Sequence, residues 1–190
     1  QNRERTQKVV EIVSKQTGKT NGKKLVAIAS STGGPKALQA VIPNLPKNLN
    51  APVLVVQHMP KGFTATLAER LDSLSQVSVK EAAEGDVLKP GHVYLSMGGQ
   101  HLNVVKSSLD VYSIHYSDEP NREGVKPCAN YMYESLADST YDEIICVVMT
   151  GMGADGTVGI RNLEEKKKVH VIAQNQETCV VYGMPKSAVN

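Results

Sequence analysis

Apolar residues in this chain recur in two rhythms. Short, nearly unbroken runs appear at Leu25–Ser30 (LVAIAS), Pro52–Gln57 (PVLVVQ) and Glu143–Met149 (EIICVVM). Runs of that length with so few polar interruptions suit strands covered on both faces, as in the middle of a parallel sheet. After the first run, Pro35 fits a first helical turn, and Ala37, Leu38, Val41 and Ile42 keep helical spacing. After the second, Gly62–Leu74 places Phe63, Leu67, Ala68 and Leu71 on one helical face. This β-α-β-α opening predicts parallel strands joined by crossover helices.

The rhythm then changes. Val77–Ala82, His92–Met97, His101–Lys106 and Asp110–Tyr116 are short strand-like runs separated by turn residues (Glu84-Gly85-Asp86, Lys89-Pro90-Gly91, Gly98-Gly99, Ser107-Ser108). They predict antiparallel hairpins added to the parallel sheet. Cys128–Ser139 and Thr157–Lys167 predict helices, Val169–Ala173 a further strand, and a last helix begins after Pro185. The fold class expected is α/β: a doubly wound, mostly parallel, Rossmann-like sheet with added antiparallel β-hairpins. Residues 1–23 are polar, with a short helical stripe at Val9, Val10, Ile12 and Val13, and are expected to be a helix and interdomain linker remnant. Residues 24–190 are expected to be one domain, truncated at its C-terminal end.

Composition narrows the function. With no Trp and one Phe, the core must rest on Val, Ile, Leu, Ala and Met. A net charge of +2 and the absence of a basic stripe interleaved with aromatics argue against nucleic acid as a partner. The longest basic run, Lys166-Lys167-Lys168, lies beside Glu164 and Glu165 and reads as a solvated helix end. Cys128, Cys146 and Cys179 are odd in number and widely spaced, which fits neither a disulfide framework nor a metal pattern and favours a reducing, cytoplasmic setting. Cys146, inside an apolar run, reads as a small core residue. The sequence shows no signal peptide and no apolar run of membrane-spanning length, so no direct membrane insertion is expected.

The polar residues fall where chemistry is expected. The three strongest strands end in Ser30-Ser31-Thr32-Gly33-Gly34, in Gln57-His58-Met59-Pro60 and in Thr150–Gly156. Ligands of open parallel sheets bind outside the carboxyl ends of the strands, so Ser31, His58 and Asp155 can share one crevice. A serine needs a base to act as a nucleophile. A histidine supplies one near neutrality, and a carboxylate on its far nitrogen fixes the tautomer. The glycine-rich turn Gly151-Met152-Gly153 offers backbone N–H groups for an oxyanion. Taken singly, each residue has a plainer role: Ser31 as a helix cap or phosphate-loop residue, His58 as a hydrogen-bonded structural histidine, Asp155 as a helix N-cap. A nucleotide-binding module is the main competitor. Against it, no G-x-G-x-x-G or G-x-x-x-x-G-K-[ST] is present, and the second strand ends in His58 where a dinucleotide binder would carry an acid. The G-x-S-x-G signature is also absent, and the order Ser, His, Asp is not that of α/β-hydrolases.

Several blocks together resemble one family. Lys24–Leu38 (KLVAIASSTGGPKAL), Gln57-His58-Met59-Pro60 with Gly62-Phe63-Thr64, and Thr150–Gly156 (TGMGADG) are similar to the serine, histidine and aspartate segments of the CheB family of bacterial chemoreceptor protein-glutamate methylesterases. Gly91-His92-Val93-Tyr94, His101, Ile172–Asn175 and Gly183-Met184-Pro185 resemble further blocks of it. The resemblance implies Ser31 as nucleophile, rather than its neighbour Ser30, with His58 as base and Asp155 as the acid that orients it. It also implies an oxyanion role for the Met152 backbone and a site-orienting role for Thr32.

The implied substrates are γ-methyl glutamate esters on the cytoplasmic helices of chemoreceptors, with deamidation of receptor glutamines as a second activity; no cofactor or metal is implied. A receiver domain that covers the site until it is phosphorylated is the implied regulatory partner, absent from this chain. Where the family tends to have Arg-Pro-Ser and an acidic residue, this chain has Lys126-Pro127-Cys128-Ala129-Asn130. That departure is expected to affect substrate contacts and to leave the triad untouched. Asn121 and Arg122 fit a substrate-facing or simply solvated loop, and Lys61, Arg70 and Arg122 are candidates for electrostatic steering. A catalytically silent receptor-docking module stays open as a second reading.

Overall fold

The structure, a computed structural model, describes residues 22–190. The stripe at Val9–Val13 and nearly all of the expected linker lie outside the described residues. Strands β1 (Lys24–Ser30), β2 (Val53–Gln57), β3 (Ser78–Glu81), β4 (His92–Leu95), β7 (Glu143–Val148) and β8 (Lys168–Ala173) form one sheet in the order β3-β4-β2-β1-β7-β8. Every neighbouring pair in it is parallel. Strands β5 (His101–Ser108) and β6 (Val111–Ser117) form a separate antiparallel hairpin, turning through Asp110 at φ 55. The expected α/β architecture is present.

Side-chain alternation in the central strands feeds two cores. Leu25, Ala27 and Ala29 of β1 and Leu54 and Val56 of β2 face one side. They pack there with Met132 and Tyr133 of helix α3 (Ala129–Ser135), Ile160 and Leu163 of helix α4 (Thr157–Glu164), and Leu102 and Ile114 of the hairpin. Ile28, Val53 and Val55 face the other side, against Leu38 of helix α1 (Gly34–Val41) and Leu67 and Leu71 of helix α2 (Phe63–Leu74). Both faces are thus covered, which is why β2 is buried at every position. A short helix α5 (Gly183–Val189) brings Met184 to the first core.

Two expectations from the pattern are revised. Of the four short middle runs, only β5 and β6 make a hairpin; β3 and β4 join the main sheet side by side in parallel. The turn residues between them do not fold the chain back on itself. They route residues 82–91 along β6, where Gly85 N–H donates to Ile114 O (2.8 Å) and Leu88 N–H to Tyr112 O (2.9 Å). The helix expected to reach Ser139 stops at Ser135, because bonding tightens there to i→i−3: Leu136 N–H to Tyr133 O (3.1 Å) and Ala137 N–H to Glu134 O (3.2 Å).

The chain moves from β1 to β2 on one side and reaches β7 on the other, so strand order reverses between β1 and β7. The carboxyl ends of these two strands flank the crevice that such a reversal opens. Helix α3 is tied to the same place from below. The fully buried Tyr133 hydroxyl lies 3.2 Å from both Ala27 O of β1 and Val147 O of β7. Tyr133→Phe keeps the ring and removes this bond, and is expected to cost about 1 kcal/mol. The measurement is the urea midpoint at unchanged slope; an unaltered midpoint would show that the hydroxyl does not anchor the helix.

Candidate active site

Register does the first part of the assembly. Ser30 pairs with Gln57 across β1 and β2, and Ala29 with Val148 across β1 and β7. One step further along, the strands place Ser31 beside His58 and beside Thr150. Ser31 N–H donates to Thr150 O (2.9 Å) and His58 N–H to Ser30 O (3.0 Å). Gln57, buried, fastens the two ends together: it accepts from Ser30 Oγ (2.6 Å) and donates from Nε2 to Ser31 O (2.9 Å) and His58 O (3.2 Å). The hydroxyl of Ser30 is therefore spent inside the fold, whereas Ser31 is half-buried at the mouth of the crevice. The third strand end approaches so closely that a Cβ on Gly151 would lie 2.8 Å from the Ser31 Cβ. A side chain there would push the serine aside.

Asp155 reaches the same edge from the loop between β7 and α4. Its side chain is 2% exposed, and Oδ2 lies 2.6 Å from His58 Nε2. Three further donors close around it: Ala129 N–H to Oδ2 (2.7 Å), Asn130 N–H to Oδ1 (3.0 Å) and the Cys128 thiol to Oδ1 (3.0 Å). A carboxylate offers about four acceptor positions, and here all are used. Burial works against ionisation, but the bonds from His58, the Ala129 amide and Cys128 outweigh it and hold the Asp155 pKa below its ordinary 3.8. An ionised carboxylate only accepts, so His58 Nε2 carries the proton in this pair. Nδ1 is then the ring nitrogen left to act as a base. Among the described residues no hydrogen bond joins Ser31 Oγ to His58; such contacts are often open in a free enzyme and close on substrate binding.

The plainer reading of Asp155 as a helix N-cap is not what the structure shows. Helix α4 begins after Gly156 with no cap from its own chain segment. Its N-terminus is capped instead from helix α3, by Asn130 Oδ1, which accepts from Gly156 N–H (3.0 Å) and Gly159 N–H (2.8 Å). Asp155 is thereby released to face His58. The expectation that the 126–130 departure leaves the triad untouched is overturned: residues 128, 129 and 130 all bond the Asp155 carboxylate.

Met152 is 73% exposed at the crevice edge. Gly151 N–H is taken by Val181 O (2.9 Å), while the N–H groups of Met152 and Thr32 have no acceptor among the described residues. Thr150 holds these two loops in place: its Oγ1 lies 2.8 Å from Thr32 O and accepts from Val180 N–H (3.0 Å) and Val181 N–H (3.1 Å). Arg122 is engaged elsewhere, paired with Glu134 (2.6 Å) and lying over the Tyr131 ring. Asn121 is exposed, and neither residue bonds Ser31, His58 or Asp155. Arg70 donates to Gln39 (3.2 Å) on the outer face of α2, and Lys61 is exposed beside the histidine loop. The three cysteines are free thiols. No group of three or more His, Cys, Asp or Glu among the described residues is placed to hold a metal ion, and no described helix is long and apolar enough to cross a membrane.

Residues 26–190 match the sequence model of a family described as CheB methylesterase. A Bacillus subtilis protein-glutamate methylesterase/protein-glutamine glutaminase is 50% identical over 169 residues, covering 88% of this chain and 47% of that protein. A Thermotoga maritima protein of the same name is 47% identical over 167 residues, covering 87% and 48%. This chain thus spans about half the length of the curated relatives it matches. The crystal structure of the Thermotoga maritima CheB methylesterase catalytic domain superposes with a TM-score of 0.83 at 45% identity, covering 90% of this chain and 88% of that one.

The depressed Asp155 pKa has a consequence for stability. A carboxylate held below its ordinary value contributes stability that is fully present above 3.8 and is lost as pH falls through the folded pKa. Asp155→Asn lacks that charge at every pH. The difference in urea midpoint between wild type and Asp155→Asn is expected to be largest at neutral pH and to shrink by about pH 3. A difference independent of pH would contradict an ionised, donor-saturated Asp155.

Proposed function

This chain belongs to the CheB methylesterase family, and from that premise we propose that it is a serine hydrolase of γ-methyl glutamate esters on bacterial chemoreceptors. In the same reading it also deamidates receptor glutamines. The observation that supports this most is the pairing of half-buried His58 with buried Asp155, 2.6 Å apart, beside a serine on the neighbouring strand end.

In this reading Ser31 Oγ attacks the ester carbonyl while His58 Nδ1 takes its proton. The imidazolium is stabilised through Nε2–H on Asp155. The carbonyl oxygen, now negative, meets the N–H groups of Met152 and Thr32. Collapse expels methanol, which leaves with the proton from His58, and a glutamyl ester on Ser31 remains. Water then attacks that ester with His58 again as base, and releases glutamate. A glutamine side chain follows the same path with ammonia as leaving group, which is why one site serves both reactions. None of these steps calls for a cofactor. The setting proposed is the cytoplasm, on the helices of the receptors, with residues 1–23 as the link to a regulatory receiver domain.

The test is methanol release from methylated receptor membranes. Ser31→Ala is expected to lower turnover at least about a thousandfold with the fold intact by circular dichroism. Ser30→Ala, which loses only an internal hydrogen bond, is expected to stay within about tenfold of wild type. Unchanged turnover in Ser31→Ala would remove the serine from its role. No turnover in wild type would favour a receptor-docking module without catalysis.

A further inference from the structure

Cys128 links Asp155 to His101. Its thiol lies 3.0 Å from Asp155 Oδ1, and its backbone N–H donates to His101 Nδ1 (3.1 Å). Both residues are fully buried. His101 accepts at Nδ1, so its proton sits on Nε2, which donates to Pro120 O (3.1 Å); Tyr131 packs edge-on against its ring at 4.6 Å. A continuous line of bonds therefore runs from the 118–125 loop through His101 and Cys128 to Asp155 and on to His58. Burial, reinforced by the Asp155 charge, pushes the Cys128 thiol up to about 12, so it is present as S–H and donates.

We infer that Cys128 is a positioning residue for the reaction: its thiol supplies the last of four donors to Asp155 and locks the carboxylate in the orientation that presents Oδ2 to His58. The inference rests on the reading of Ser31, His58 and Asp155 as a triad. Among the described residues, only the Cys128 thiol and the Asn130 amide resist rotation of the carboxylate on its Oδ1 side. With the thiol gone, the carboxylate is freer to rock and Oδ2 is held less firmly toward His58, which lowers kcat. Serine is the conservative replacement: thiol and hydroxyl are both donors, the thiol the weaker.

The experiment compares wild type, Cys128→Ser and Cys128→Ala in ester hydrolysis on methylated receptor membranes, as kcat and KM. In Cys128→Ala, kcat is expected to fall about tenfold with KM within about twofold. Cys128→Ser is expected to restore kcat. Should Cys128→Ala fail to fold, Cys128→Val, which refills the space without a donor, takes its place. A donorless variant with wild-type kcat, or a serine variant as impaired as the alanine one, overturns the inference. Absence of turnover in wild type would instead count against the hydrolase reading. The inference is then decided by the His58 Nε2–H proton resonance, expected sharp at low field in wild type and Cys128→Ser and broadened in the donorless variant. Equal lines in all three overturn it.

Discussion

A carboxylate taken out of water stays charged only if donors replace the water. Asp155 is almost wholly buried and has four among the described residues: an imidazole, two backbone amides and a thiol. Much of the local architecture around it serves that requirement. The start of helix α3 supplies both amides. His101 holds the turn before it by accepting the Cys128 N–H. Asn130 caps helix α4 in place of Asp155, which would otherwise be drawn to that helix N-terminus as a capping group. The aspartate can serve the histidine because a neighbouring helix does the capping.

The second constraint is register. In a parallel sheet adjacent strand ends advance together, so residues just past β1, β2 and β7 meet at one edge without long side chains reaching for one another. Gln57 and Thr150 convert that approximate meeting into fixed geometry, each binding backbone from two loops. Gly151 allows the third loop to come within contact of Ser31. Gln57, Thr150 and Gly151 thus act around the crevice mainly by positioning backbone.

The strands ending in Ser31, His58 and Asp155 were legible because long apolar runs in a parallel sheet leave their polar residues at one end, and Rossmann-like topology then fixes which end matters. The middle of the chain was less legible. Glu84-Gly85-Asp86 and Lys89-Pro90-Gly91 have the composition of hairpin turns, yet the partners that decide their path, Tyr112 and Ile114, lie far along the chain. The residues around Asp155 were hidden for a similar reason. A thiol, two amides and an asparagine in trans carry no motif, and Cys128–Asn130 show their role only once α3 is folded against the loop after β7. Arg122, attractive on charge alone, is held by Glu134 and bonds none of Ser31, His58 and Asp155.

The central claim is that this register and the His58–Asp155 pair make Ser31, and not Ser30, a nucleophile. The most direct test is reaction of the folded domain with a fluorophosphonate, followed by mass mapping of the adduct. The result expected is a single adduct on Ser31, abolished in His58→Gln and slowed in Asp155→Asn. An adduct on Ser30, or labelling of Ser31 that persists unchanged without His58, would contradict it.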